Sequence, residues 1–145
     1  IMKKVEKNVS INAPVDKVFN YISDPATAPE MMKSMLEVKD VDIKEGGVGT
    51  SFHWVYKMAG MKFSGESVCT EYVANKKLVL QSKGGIKSTW YWTLEPKAGG
   101  TQVTLVVEYD VPVPVLGKLA EAMVLKQNEK EADQSMATLK KILEG

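Results

Sequence analysis

Few residues in this chain could do nucleophilic or metal chemistry. There is one cysteine, Cys69, and one histidine, His53. They are the only candidates for a thiolate with its base, and a serine–histidine–acid triad would need the same His53. Alternation along their strand-like segments puts the two on opposite faces of a sheet, which separates them. His53 then falls on the outer face beside Glu66, and Cys69 reads as a small buried hydrophobe. A cysteine/histidine zinc site lacks ligands, no disulfide can form within the chain, and neither metal nor cofactor is expected. Among the carboxylates only Glu71 is placed inward. Desolvation there would raise its pKa, which makes it the single candidate for general acid or base work. "GGVGTS" resembles a phosphate loop only superficially, since no lysine follows the glycines and a strand comes next.

Aromatic side chains give the stronger signal. The segment Ser88–Leu94 reads "STWYWTL" and holds two of the three tryptophans. Alternate residues of a strand share a face, so Trp90 and Trp92 lie side by side. Such a pair can be ordinary core, an exposed docking patch or the wall of a cavity.

The elements that must position these residues follow from the hydrophobic period. "KKVEKNVSI" alternates Val5, Val9 and Ile11 with polar residues and reads as a first strand. Pro14 opens a helix with Val15, Val18, Phe19 and Ile22 at helical spacing. Pro25 ends it, and a short second helix follows Pro29. From residue 36 to 111 the period becomes two, and six strands are separated by turns at Gly46-Gly47, Ala59-Gly60, Asn75-Lys76, Gly84-Gly85 and Gly99-Gly100. The segment from residue 115 to 145 reads as one long helix. The expected architecture is α+β: a single domain, 1–145, whose seven-stranded antiparallel curved sheet wraps around a long C-terminal helix, with two short helices between strands 1 and 2.

Turn lengths then predict which residues face inward. A two-residue Ala59-Gly60 turn pairs Met58 with Met61, Tyr56 with Phe63, Trp54 with Gly65 and Phe52 with Ser67. The Gly99-Gly100 turn pairs Leu94 with Val103, Trp92 with Leu105, Trp90 with Val107 and Ser88 with Tyr109. A three-residue turn at Gly84-Gly85 sets Leu78 against Trp90 and Leu80 against Ser88. An Asn75-Lys76 turn sets Val73 against Leu78 and turns Glu71 inward, though one bulge would exchange Glu71 for Tyr72.

The concave face therefore carries Trp54, Tyr56, Phe63, Trp90, Trp92 and Tyr109, interspersed with Ser67, Ser82, Ser88 and Leu80. Wide aromatics with scattered hydroxyls suit a ligand pocket; the other reading is that they simply fill the interior. On the long helix, Leu116, Leu119, Ala120, Met123 and Val124 form one stripe. Leu125, Ala132, Met136, Leu139 and Leu143 form another. A kink or bulge near Lys126–Asn128 would turn both toward the sheet and bring Met123 and Gln127 to the cavity. Alternatively the first stripe serves a loop at the mouth or a dimer contact.

Composition excludes several classes. The net charge is +1 and all 19 basic residues are lysine, so the bidentate fork that reads phosphate is absent and nucleic acid is not expected as a partner. The opening "IMKKVEKNVSI" has no apolar run long enough for a signal peptide, Met2 is read as the natural start, and no later segment approaches a membrane span. A soluble cytoplasmic protein without stable membrane insertion is the expectation.

The first strand with "INAPVDKVFNYISDP", the "GGVGT" turn, "WTLEPKAGGTQVTL" and the final "YDVPVPVLGKL" resemble the SRPBCC superfamily over the whole length. Within it the chain looks most like the polyketide cyclase/dehydrase and lipid-transport-like group, related to START domains and the birch-pollen-allergen fold. The resemblance implies a helix-grip fold with a hydrophobic cavity between sheet and C-terminal helix; it carries no single catalytic motif. The expected function is binding of a hydrophobic small molecule, a lipid or a polycyclic, polyketide-like compound, rather than catalysis. The alternatives are a cyclase or dehydratase using Glu71 or tyrosines as acid–base groups, and a protein-binding assembly factor.

Overall fold

A computed structural model describes residues 2–112 and 117–145. Seven antiparallel strands form one sheet: β1 (Lys3–Ile11), β2 (Met35–Asp42), β3 (Ser51–Met58), β4 (Met61–Val73), β5 (Lys77–Gly84), β6 (Ser88–Lys97) and β7 (Gly100–Tyr109). Their spatial order is β1-β7-β6-β5-β4-β3-β2, a meander closed at one edge by the N-terminal strand. Between β1 and β2 lie the helices α1 (Val15–Ser23) and α2 (Ala28–Met31), joined by a short 3-10 turn at Pro25–Thr27. Pro14 is the cap of α1 rather than its first residue, and its carbonyl accepts the Val18 N–H at 3.1 Å. The last element is α3 (Lys118–Glu144). This is the α+β helix-grip architecture expected.

Two registers match their turns. Met58 faces Met61 and Trp54 faces Gly65 across β3 and β4. Trp90 faces Val107 and Ser88 faces Tyr109 across β6 and β7. The connection after β5 is longer than the three residues expected, so Leu78 faces Trp92, Leu80 faces Trp90 and Ser82 faces Ser88. The shift is two residues, an even number, and no side chain changes face. A β-bulge between Cys69 and Glu71 does change faces. Glu71 pairs with Val79 on the outer side while Tyr72 pairs with Leu78 on the inner.

The long helix is one continuous α-helix from Lys118 to Glu144, running through Lys126–Asn128 without interruption. Its second stripe packs most deeply, with Met136, Leu139 and Leu143 buried; of the first, Val124 packs partly buried against the core. Leu119 and Met123 are 81% and 68% exposed, while Leu116 lies outside the described residues. At about 100° per residue Met123 lies on the far side of the helix from Met136, so a straight helix cannot present both.

Side chains at the inner face of β1 hold α3 along that edge of the sheet. Lys3 pairs with Glu121 at 2.6 Å, and Lys7 with Glu129 at 2.9 Å and Asp133 at 3.1 Å. At the far end the Lys140 ammonium donates to the Ser10 carbonyl at 2.9 Å, and Glu144 accepts the Asn12 backbone N–H at 2.7 Å. The helix therefore packs chiefly against β1, and the concave face of β3 to β6 keeps space above it.

Candidate ligand cavity

That space is a cavity of about 600 Å³, within the range of small-molecule pockets. Trp54 and Trp92 are buried and Trp90 is partly buried, all on the side of α3. Of the expected binding residues, Trp54, Tyr56, Ser67, Leu80, Ser88, Trp90, Trp92 and Tyr109 line the cavity. Three do not. Phe63 packs against the core beside the cavity. Met123 points to solvent, and Gln127 is exposed, with its amide 3.5 Å from Glu131 Oε1. The helix that continues through Lys126–Asn128 is the reason for both. Its cavity face is Asn128, Glu131, Ala132 and Ser135, the i, i+3, i+4, i+7 spacing of one helical stripe. Three of its four residues are polar, so no hydrophobic period marks this stripe in the sequence.

Glu71 is corrected as well. The bulge turns it outward, where it is exposed and 3.3 Å from Lys77 Nζ. Tyr72 and Cys69 take the inner positions and line the cavity. The Cys69 thiol, buried, donates to the Glu71 carbonyl at 3.4 Å, and burial pushes its pKa up. It is therefore a poor nucleophile. His53 lies on the opposite face, exposed between Asp40 (Nδ1 at 2.9 Å) and Glu66 (Nε2 at 3.3 Å). Among the described residues no group of three or more potential ligands is arranged to hold a metal.

Polar groups meet the cavity in two places. On the sheet, Ser67, Ser82 and Ser88 stand in one cross-strand row and bond in sequence at 3.0 Å each, and Trp90 Nε1 donates to Ser88 Oγ at 3.1 Å. On the helix side, Ser34 Oγ donates to Glu131 Oε2 at 2.5 Å, and the Asn128 amide donates to the Tyr109 hydroxyl at 2.9 Å. Burial pushes the Tyr56 phenol well above its ordinary pKa; the negative charge of Glu131 adds to this, and a bond with Ser34 opposes it. Burial also raises Tyr109, opposed by the Asn128 amide. The arrangement can orient a polar group of a molecule that is otherwise held by apolar contact. Met31, Met32 and Met35, all buried, add adaptable walls. Among the described residues no helix is long and apolar enough to cross a membrane.

Comparison with known proteins gives one family and many solved structures of similar fold. The profile of the family described as polyketide cyclase / dehydrase and lipid transport matches residues 2–144. A Thermus thermophilus protein of solved structure is 22% identical, with a TM-score of 0.81 over 96% of this chain and 95% of that one. The Zhui aromatase/cyclase from a Streptomyces species is 17% identical, with a TM-score of 0.80 over 99% and 94%. A START superfamily protein from Mycobacterium smegmatis is 15% identical, with a TM-score of 0.80 over 97% of each chain. These likenesses concern the fold. No curated protein sequence matches.

Proposed function

The chain belongs to the polyketide cyclase / dehydrase and lipid transport family, and from that premise we propose that it binds a hydrophobic small molecule between the sheet and α3. The observation that carries this reading is the cavity of about 600 Å³ with indole and methionine walls. A dry core of this size would be filled by interlocking aliphatic side chains. A ligand entering it exchanges water for apolar contact, worth about 25 cal/mol for each Å² buried. Ala132 faces the space from the helix with little bulk and no hydrogen-bonding role, so Ala132→Phe would fill the cavity without breaking a polar contact. The test is native mass spectrometry of the purified protein, with tryptophan-fluorescence titration of parent and variant using a fatty acid and a flat polycyclic. Binding by the parent that weakens in a variant of unchanged fold supports the reading. No binding by the parent to either class counts against it.

A second reading, acid–base catalysis in the same space, is favoured by one observation. Glu131 lines the cavity from the helix side, accepts from the Ser34 hydroxyl, and its charge adds to the burial that keeps the Tyr56 phenol protonated. Similarity to an aromatase/cyclase fold is compatible with it. Turnover of a polyketide-like substrate that vanishes in Glu131→Gln, while binding persists, would favour this second reading over simple carriage.

A further inference from the structure

The charges of α3 are sorted by face. The helix has five acidic residues and five lysines, a neutral sum. Every acid is committed to the body of the protein. Glu121 pairs with Lys3, Glu129 and Asp133 pair with Lys7, and Glu131 accepts from Ser34. Glu144 accepts from the Asn12 N–H and pairs with Lys140, which itself donates to the Ser10 carbonyl. The other four lysines, Lys118, Lys126, Lys130 and Lys141, are exposed, and none is ion-paired among the described residues. At about 100° per residue, Leu119, Met123, Lys126, Lys130 and Lys141 fall within about 60° of one another, on the side turned away from Met136, Leu139 and Leu143. Leu119 and Met123 are the most exposed large apolar side chains among the described residues.

A convex ridge of unpaired lysines with two protruding apolar side chains and no acid selects its partner. A nucleic acid would answer the lysines and gain nothing from Leu119 and Met123. A second copy of this chain would have to offer acids and apolar residues together. The strand β2 and the loop after it expose Leu36, Val41 and Ile43, but Asp40 and Asp42 there are already paired with His53 and Lys44. That surface is mixed in sign and does not complement the ridge. An anionic bilayer answers every feature. Its headgroups carry the opposite charge, its interface takes up apolar tips while lysine stems snorkel, and its plane meets a convex helix without a groove. From residue 119 to 141 the ridge runs about 33 Å at 1.5 Å per residue, so the helix meets that plane along its length.

We propose that the outer ridge of α3 docks the protein reversibly on an anionic lipid surface. Leu119 and Met123 enter the interface, and Lys126, Lys130 and Lys141 lie over the headgroups. Docking is peripheral, since two apolar side chains fall far short of a span and no helix among the described residues is long and apolar enough to cross. The cavity lies against another face of the same helix, at Asn128, Glu131, Ala132 and Ser135. Docking therefore leaves the cavity lining untouched, and it depends on the ridge alone and not on what fills the cavity.

Co-sedimentation with vesicles of phosphatidylcholine, with and without phosphatidylglycerol, tests this. The parent should bind the anionic vesicles at least about tenfold more tightly than the neutral ones and lose that preference in high salt. Lys126→Gln/Lys130→Gln should weaken the binding about 25-fold, roughly fivefold for each lysine. Leu119→Ser/Met123→Ser should weaken it too. Lys57→Gln/Lys62→Gln removes the same charge from an exposed pair across β3 and β4 on the convex face, and should leave it unchanged. Circular dichroism melting checks the fold of each variant. Hydrogen exchange in the parent needs no variant: anionic vesicles should slow the first turns of α3, and neutral vesicles should not. No binding by the parent to anionic vesicles overturns the proposal. Binding that the ridge variants keep, or that the convex-face variant loses equally, overturns its assignment to α3. Self-association in sedimentation velocity that the ridge variants abolish, without vesicle binding, puts a second copy on the ridge instead. Fatty-acid titration of the same variants separates the two functions, because loss of vesicle binding with cavity binding intact strikes the docking alone.

Discussion

The benzo edge of Trp54 lies over Gly65 on the neighbouring strand. A Cβ at Gly65 would stand 2.3 Å from Trp54 Cζ2 and 2.4 Å from the Lys83 carbonyl oxygen. The pairing explains how an indole fits on this face at all, because the space it uses is the side chain that Gly65 lacks. Gly65→Ala should therefore cost about 1–3 kcal/mol as overpacking, toward the upper end because one neighbour is backbone and cannot rotate away. Urea unfolding with an unchanged m-value measures it. A variant as stable as the parent would mean that the indole has somewhere else to go.

The end of α3 makes a pH-dependent contact. Glu144 accepts from the Asn12 N–H and lies 2.5 Å from Lys140 Nζ. The Asn12 bond first, and Lys140 after it, hold its carboxyl below the ordinary 4.5. A carboxyl with a depressed folded pKa stabilises the fold above its unfolded value, and that stability is lost as pH falls through the folded one. Glu121, lowered by Lys3, acts in the same direction. The melting temperature should fall as pH drops below 4.5, and Glu144→Gln should flatten part of that fall. Melting followed by circular dichroism at stepped pH is the measurement, and parallel curves for the two proteins would exclude Glu144.

Much of this arrangement is legible in the sequence, and the exceptions have physical causes. The β3–β4 and β6–β7 registers are readable because tight turns leave one pairing, and Trp54 opposite Gly65 makes sense only in that pairing. Glu71 fails because a bulge adds one residue to β4, and no residue type announces a bulge there. Leu78 and Leu80 shift partner but keep their face, so an error in loop length has no effect on the cavity. Met123 and Gln127 fail for a different reason. An apolar stripe on a helix is evidence of burial only when something covers it, and here β1 anchors α3 by ion pairs on another face. The serine row is legible as three inward hydroxyls; that the Trp54 N–H is buried with no partner among the described residues is visible only with coordinates.

The two stripes of α3 make opposite predictions. Leu139 is fully buried, so Leu139→Ala should destabilise by about 2–5 kcal/mol. Met123, exposed, should tolerate glutamine within about 0.5 kcal/mol. Chemical denaturation of both variants decides. A large loss from Met123→Gln would mean that this stripe is covered in solution, by a second copy or a partner.

Tyr56 supplies the last prediction. Its phenol is enclosed by the cavity wall and held well above its ordinary 10, by burial first and by the charge of Glu131 second. Removing that charge in Glu131→Gln should lower the Tyr56 pKa without returning it to 10, because burial remains the larger cause. A phenol raised in the folded state also makes stability fall as pH rises above the unfolded value, since the unfolded chain releases the proton first. At neutral pH the hydroxyl is therefore a donor and never a base, in carriage or in catalysis. Carbon-13 labelling at the tyrosine ζ position resolves the individual phenols, with Tyr56→Phe assigning the signal. Tyr56 should remain protonated when an unperturbed phenol is half ionised. A Tyr56 signal titrating at the ordinary 10 in the folded protein would show that the cavity is wet at that wall, and would remove the desolvation on which both proposed readings of the site depend.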